Sequence, residues 1–410
     1  MPSRRTFLHT LPALAGCLTL PATRTLAAEA WCATWGTAPA GPPPSASTPS
    51  FSNQTLRLIV HTSIPGSRVR VRLSNEMGAA PLRIGAAHVG LRSSGANLVA
   101  GSGRDLTFGG QSGATAAPGD PLLSDPVDFA VPALADVAIS LWLPGSTQAT
   151  TIHDLAQQTN YVSVAGNHAG ANALPVQRTL SSWPFLTEVD VTGSAGTPSA
   201  IVVLGDSLTD GIGSTSNANR RWTDCLARRL RTEAAPGSPP IAVANRGISA
   251  NSLLTDYPTA LLAGRDALER FDRDVGATAG ARWLFVLIGI NDIVYSSASS
   301  PIAPDTLQAG WLQLIARART RGLQVIGATL TPFEGQAYYT AARDAVRQRA
   351  NAWIRTSGAW DAVADFDVVL RDPARPTRLL PAYDGGDHLH PNDAGYEAMA
   401  KAIPLGWFGV

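Results

Sequence analysis

The feature that most constrains the fold is a change of hydrophobic period near residue 195. Upstream, apolar side chains alternate. Leu56, Leu58 and Val60 alternate with Arg57, Ile59 and His61, and Val69, Val71 and Leu73 alternate with Arg68, Arg70 and Arg72. A two-residue period with arginine on the opposite side describes a strand with one face in a core and the other in water. Strand-like runs recur at 82–89, 126–131 and 137–143, divided by Gly- and Pro-rich turns. No long helical pattern appears before about residue 190. Many short strands with such turns predict an all-β sandwich over 31–191, of which the jelly roll is one form.

Residues 192–199 (TGSAGTPS) have the chemistry of a linker. Beyond them, runs that are apolar throughout occur at 200–205, 241–245, 283–288, 323–330 and, more weakly, 362–366. Helical patterns at 219–233, 304–321 and 339–357 lie between them. Strands apolar on both faces, alternating with helices, predict a parallel five-stranded sheet covered on both sides over 200–410. An open sheet of this kind binds its ligands beyond the carboxyl ends of its strands.

Composition narrows the function classes. The chain is 45% hydrophobic and 15% charged, which is globular, and its formal charge is +1 with no basic stripe. Nothing here attracts nucleic acid or an anionic membrane surface. No solenoid-length repeat is present. The first 30 residues read as an address. Ser3-Arg4-Arg5-Thr6-Phe7-Leu8 is a twin-arginine export pattern, the apolar run over 7–20 is short for a membrane span, and Ala27, Ala28 and Ala30 offer cleavage points. The expectation is a signal peptide over 1–30 and a periplasmic or secreted protein, with no transmembrane span after signal removal. Leu14-Ala15-Gly16-Cys17 offers a rival, a lipobox that makes Cys17 a lipid anchor. Cys32 and Cys225 remain, either bridged or as two buried thiols. Three cysteines at these spacings make no metal site, and His61, His88, His153 and His168 make none either.

The loops at the predicted strand ends carry the chemistry. Ser207 lies two residues past the first apolar strand. Asn245-Arg246-Gly247 ends the second, and Gly289-Ile290-Asn291-Asp292 ends the third. Asp387-His388-Leu389-His390-Pro391 comes late, just before a helix. Ester cleavage needs a nucleophile, a base, an orienter for that base and donors for the developing oxyanion. A serine is a poor nucleophile until an imidazole takes its proton and a carboxylate holds the right tautomer. Ser207, His390 and Asp387 supply those three groups. The N–H groups of Ser207 and Gly247 and the Asn291 amide supply three donors, with glycine at 247 leaving room for a substrate oxygen. Asp206 is either a helix cap or a support for the site. Asp292 reads as a loop brace. Trp222, Tyr295 and Tyr383 are either packing or a sugar subsite.

These four blocks, with Gly205-Asp206-Ser207-Leu208 first, resemble in their order the SGNH/GDSL hydrolase superfamily over about residues 199–404. Residues 205–209 read Gly-Asp-Ser-Leu-Thr, which is not the Gly-x-Ser-x-Gly elbow of α/β-hydrolases. The resemblance implies a flavodoxin-like three-layer α/β/α domain that needs no cofactor or metal. It carries the family's named roles to Ser207, Gly247, Asn291 and His390, with Asp387 as the triad acid. It also favours His390 over His388 as the base, by the Asp-x-x-His-Pro spacing. With the Trp35-Gly36-Thr37 start, the whole chain is similar to bacterial two-domain GDSL esterases grouped with xylanase-associated acetylesterases. That implies an acyl-enzyme route and an acetylated plant cell-wall polysaccharide as the substrate. A lipase or arylesterase acting on small acyl esters is the alternative among enzymes. A non-catalytic carbohydrate-binding protein is the alternative outside them.

Overall fold

A computed structural model describes residues 1, 29–44, 47–193, 196–256 and 262–410. The export pattern, the lipobox with Cys17, and Ala27 and Ala28 lie outside the described residues. The alternating segments form β1 (Cys32–Gly36), β2 (Ser50–His61), β3 (Gly66–Ser74), β4 (Ala86–Ser94), β5 (Arg104–Leu106), β6 (Val127–Val131), β7 (Asp136–Gln148) and β8 (Leu186–Thr192). One sheet runs β1-β8-β3-β6 and the other β2-β7-β4-β5, with every pairing antiparallel. First pairs with last, second with seventh, third with sixth and fourth with fifth. That is one long hairpin rolled over itself, the jelly-roll order. A further hairpin, Asn160–Ala165 with Val176–Leu180, extends the second sheet beyond β2. Leu56, Leu58, Ile139 and Leu141 of one sheet meet Val69, Val71, Val189 and Val191 of the other in a shared core.

Arg57 departs from the expectation of a solvent-facing arginine, because it is fully buried. The outer face of β2 is covered by loops. Their carbonyls at Ala96, Ala169 and Ala171 accept from the guanidinium at 2.7, 3.2 and 2.7 Å, and Ser140 Oγ accepts from Nε at 2.9 Å. Burial lowers its pKa to about 10.

Beyond Thr192 the continuous apolar runs form β9 (Ser199–Gly205), β10 (Ile241–Gly247), β11 (Ala281–Leu287), β12 (Gln324–Ala328) and β13 (Ala362–Ala364). The order is β10-β9-β11-β12-β13, all parallel. The helices are α1 (Ser207–Asp210), α2 (Trp222–Thr232), α3 (Ile290–Val294), α4 (Pro304–Thr320), α5 (Ala341–Thr356), α6 (Phe366–Leu370) and α7 (Asp393–Lys401). They form two packed groups, α2 with α7 and α6, and α4 with α5 and α3. The result is the expected three-layer α/β/α domain of flavodoxin-like order, preceded by an all-β sandwich. The chain leaves β9 toward β10 and crosses back to β11, so the crevice of the sheet opens at the carboxyl end of β9. Gly205 stands level with Gly247 and with Leu287, which brings three of the candidate loops to one height.

Some boundaries moved for local reasons. The helix expected over 219–233 starts at Trp222, because Asn217 and Asn219 hold left-handed φ values of 63° and 51°. The strand expected over 362–366 stops at Ala364, because Asp365 caps α6 by accepting from the Val368 N–H. Trp222 is fully buried against Phe285 and Phe366, which removes it from any sugar subsite. Cys32 and Cys225 are both free and buried. Among the described residues no helix is long and apolar enough to cross a membrane.

Candidate active site

Ser207 heads the short helix α1. Asp206 is its N-cap, its carboxylate accepting the Leu208 N–H at 3.0 Å. A single residue, Asp206, separates β9 from α1, and Ser207 is left 4% exposed at the carboxyl end of the strand. His390 lies on the loop before α7, whose N-cap is Asn392. Its Nε2 sits 2.8 Å from Ser207 Oγ and its Nδ1 2.5 Å from Asp387 Oδ2. A carboxylate brings no proton of its own, so Nδ1 donates to it and Nε2 is left to accept from the serine hydroxyl. Asp387 Oδ1 accepts the N–H groups of Leu389 and His390 at 3.0 and 2.8 Å. Partial burial works against the charge, but the hydrogen bonds from the His390 ring and from these backbone groups hold the carboxyl well below the usual carboxylate range.

Sequence spacing alone does not fix the serine loop against the histidine loop. Three contacts do. Tyr396 on α7 donates its hydroxyl to the Ile212 carbonyl at 2.6 Å. Asp393 accepts both the N–H and the hydroxyl of Thr215, at 2.8 and 2.7 Å. Gly213 lies against the Pro391 carbonyl, where a Cβ would come within 2.6 Å. Such side chains resemble any buried tyrosine or surface aspartate in a sequence, so no local signal marks them.

The donor side is more elaborate than expected. Asn291 Nδ2 donates to the Asn251 carbonyl at 2.8 Å, which fixes the orientation of the amide. Gly289 before it holds φ of 125°, a conformation that only glycine adopts freely. The Gly247 N–H donates to Asn245 Oδ1 at 2.8 Å. The same amide gives Nδ2 to the Thr209 carbonyl at 2.7 Å and to Thr223 Oγ1 at 3.0 Å. Glycine at 247 has a further reason. A Cβ there would stand 2.3 Å from the Asp210 nitrogen, so α1 also needs the space.

A family comparison settles which fold family carries these loops. Residues 203–398 match the model of the GDSL-like lipase/acylhydrolase family. The α/β domain belongs to the SGNH/GDSL hydrolase superfamily. No curated protein matches the chain. Among solved structures, the GDSL domain is similar to a lipolytic protein of the G-D-S-L family from Desulfitobacterium hafniense at 21% identity, covering 50% of this chain and 97% of that one with a TM-score of 0.38. A lipase/acylhydrolase from Enterococcus faecalis gives 19% identity, 50% and 93% coverage and a TM-score of 0.38. The aryl esterase of M. smegmatis gives 17% identity, 52% and 99% coverage and a TM-score of 0.39.

The GDSL domain braces its strand ends with buried charge. Arg270 donates to the carbonyls of Gly205 at 2.9 Å and Arg246 at 2.7 Å, tying β9 to β10 just below the site. Asp274 balances it at 2.9 Å. Asp292 accepts the N–H groups of Leu253 and Leu254 at 2.8 and 3.0 Å. Burial pushes the Asp206 and Asp292 carboxyls each up to about 7. His388 has a carboxylate of its own, with Nδ1 2.5 Å from Asp384 Oδ2. Tyr295 is half-buried, with its ring edge-on to Tyr338 at 5.6 Å. Among the described residues no group of three or more side chains is placed to hold a metal ion.

Proposed function

We propose that the protein is a serine ester hydrolase in which Ser207 is the nucleophile, His390 the general base and Asp387 the group that orients it. The observation that carries this reading is the unbroken line from Asp387 through His390 to Ser207, at 2.5 and 2.8 Å. As Oγ attacks the ester carbonyl, its proton passes to His390 Nε2, and the resulting imidazolium is steadied by the Asp387 carboxylate. The oxyanion is taken by the Ser207 N–H, the Asn291 amide and, once Asn245 gives up its hydrogen bond, the Gly247 N–H. His390 then returns the proton to the leaving alcohol, and water resolves the acyl-enzyme by the same route.

The substrate class within this proposal is an acetyl ester on a plant cell-wall polysaccharide, acted on by an exported enzyme. Its support is the two-domain organisation, a jelly roll ahead of a GDSL domain, and the likeness of the whole chain to xylanase-associated acetylesterases. The test is acetate release from acetylated xylan, pectin and xyloglucan, measured beside short- and long-chain p-nitrophenyl esters. Acetate release with little activity on long chains is expected. A preference for long acyl chains overturns the acetylesterase reading in favour of a lipase. Polysaccharide binding without hydrolysis of any ester overturns the enzyme reading.

A further inference from the structure

The sandwich enters the GDSL domain at two charged points, and both end beside Gly247. The first is His153, in a two-residue strand of the sandwich. Its Nδ1 is 2.8 Å from the Ala38 carbonyl and its Nε2 3.0 Å from Asp210 Oδ1. Asp210 Oδ2 accepts the N–H of Ser249 at 2.9 Å and its hydroxyl at 2.8 Å. A carbonyl on one side and a carboxylate already accepting two donors on the other leave the ring to donate from both nitrogens. His153 is therefore an imidazolium paired with an anion, and the two side chains are 3% and 4% exposed. Asp210 closes α1 three residues after Ser207 and lies against the Gly247 backbone, and Ser249 follows Gly247 by two.

The second point is Glu188 of β8, which pairs with Arg246, the residue before Gly247. The Arg246 guanidinium also donates to the carbonyls of Thr37 and, at 2.9 Å, Thr187, and to Thr278 Oγ1 at 2.9 Å. Three of these four partners belong to the sandwich. Gly247 is thus held from behind by one ion pair and through α1 by another.

We infer that the sandwich is a working part of the ester-cleaving site, with His153 and Glu188 as positioning residues that set the Ser207 helix and the Gly247 N–H through Asp210 and Arg246. The inference rests on the reading of Ser207 as the nucleophile. A passive spacer does not need buried ions at its boundary, since apolar side chains of equal volume hold two surfaces together as well or better. Directional ion pairs are suited to fixing orientation. A donor displaced from an oxyanion loses transition-state stabilisation, while substrate affinity is largely kept.

The experiment uses the full chain as wild type, His153→Gln, Ser249→Ala and Ser207→Ala. Steady-state hydrolysis of p-nitrophenyl acetate is measured with active-site titration, together with inhibition by phenylboronic acid, which forms a tetrahedral adduct on a reactive serine. His153→Gln is expected to lower kcat per titrated site by about 10- to 100-fold, to leave KM within about threefold, and to weaken the boronic acid by the same factor as kcat/KM. Ser249→Ala removes one hydroxyl inside the GDSL domain and leaves the domain boundary intact. It is expected to act in the same direction by about three- to tenfold. A His153→Gln protein with a lower Tm or fewer titratable sites, but unchanged kcat per site and boronic acid affinity, overturns the inference. If His153→Gln does not fold, unchanged constants for Ser249→Ala overturn it alone. Activity retained by Ser207→Ala overturns the nucleophile reading and the inference with it. An inactive Ser207→Ala beside unaltered constants in the other two overturns only the inference.

Discussion

Two histidine–aspartate pairs share one loop, and they differ in what stands on the far side of the ring. In both pairs Nδ1 meets a carboxylate at 2.5 Å. His390 is 12% exposed and its second nitrogen faces Ser207 Oγ. His388 is 51% exposed and its ring rests on Gly335 at the wall of an open cavity lined with Glu334, Arg375 and Arg378. The backbone separates them. His388 takes φ of 63°, which turns its side chain away from that of His390 two residues later. A carboxylate beside an imidazole is thus common chemistry. A buried serine hydroxyl as the third member is what sets the proposed catalytic line apart.

That contrast can be broken in several ways. Ser207→Ala should lower ester hydrolysis by at least about a thousandfold while thermal unfolding is unchanged. His390→Ala should cost about as much, whereas His388→Ala should stay within about threefold, measured as kcat/KM on a short-chain p-nitrophenyl ester. Equal losses for the two histidines would falsify the division between the pairs. Asp387→Asn should cost roughly a hundred- to ten-thousandfold, through loss of the tautomer that leaves Nε2 able to accept, and Asp384→Asn should have little effect.

The smallest effect concerns a carboxyl with no imidazole at all. Asp206 titrates at about 7 when folded, against a usual carboxyl near 3.8. The folded chain therefore binds more protons than the unfolded chain between those values. Its stability should fall as pH rises from about 4 to about 7 and level off above that. Asp206→Asn keeps the capping oxygen and removes the charge. Its Tm should exceed that of wild type by a few degrees at pH 8 and match it at pH 4. Equal Tm values at both pH values would show that Asp206 ionises freely.

Much of this was legible because the information is local. The alternation of Val69, Val71 and Leu73 needs only the strand period, and the apolar run over 200–205 needs only a sheet covered on both faces. The blocks around Ser207, Asn291 and Asp387 are short loops with their own turn chemistry. The rest depends on partners far away in the chain. Arg57 looked solvent-facing because its three carbonyl partners lie 39 to 114 residues distant. His153 in sequence is one more histidine in a β-rich segment, and its value lies with Asp210, 57 residues on. The need for glycine at 247 was read from substrate access alone, because the α1 backbone that a Cβ there would meet lies some 37 residues earlier in the chain.

Both cysteines among the described residues are reduced and buried, Cys32 on the first strand of the jelly roll and Cys225 in α2. Burial and the nearby carboxylates push the Cys32 thiol far up, which keeps it from reacting as a thiolate. No oxidant is then needed to complete either core. Folding and docking of the two domains therefore need no oxidising compartment.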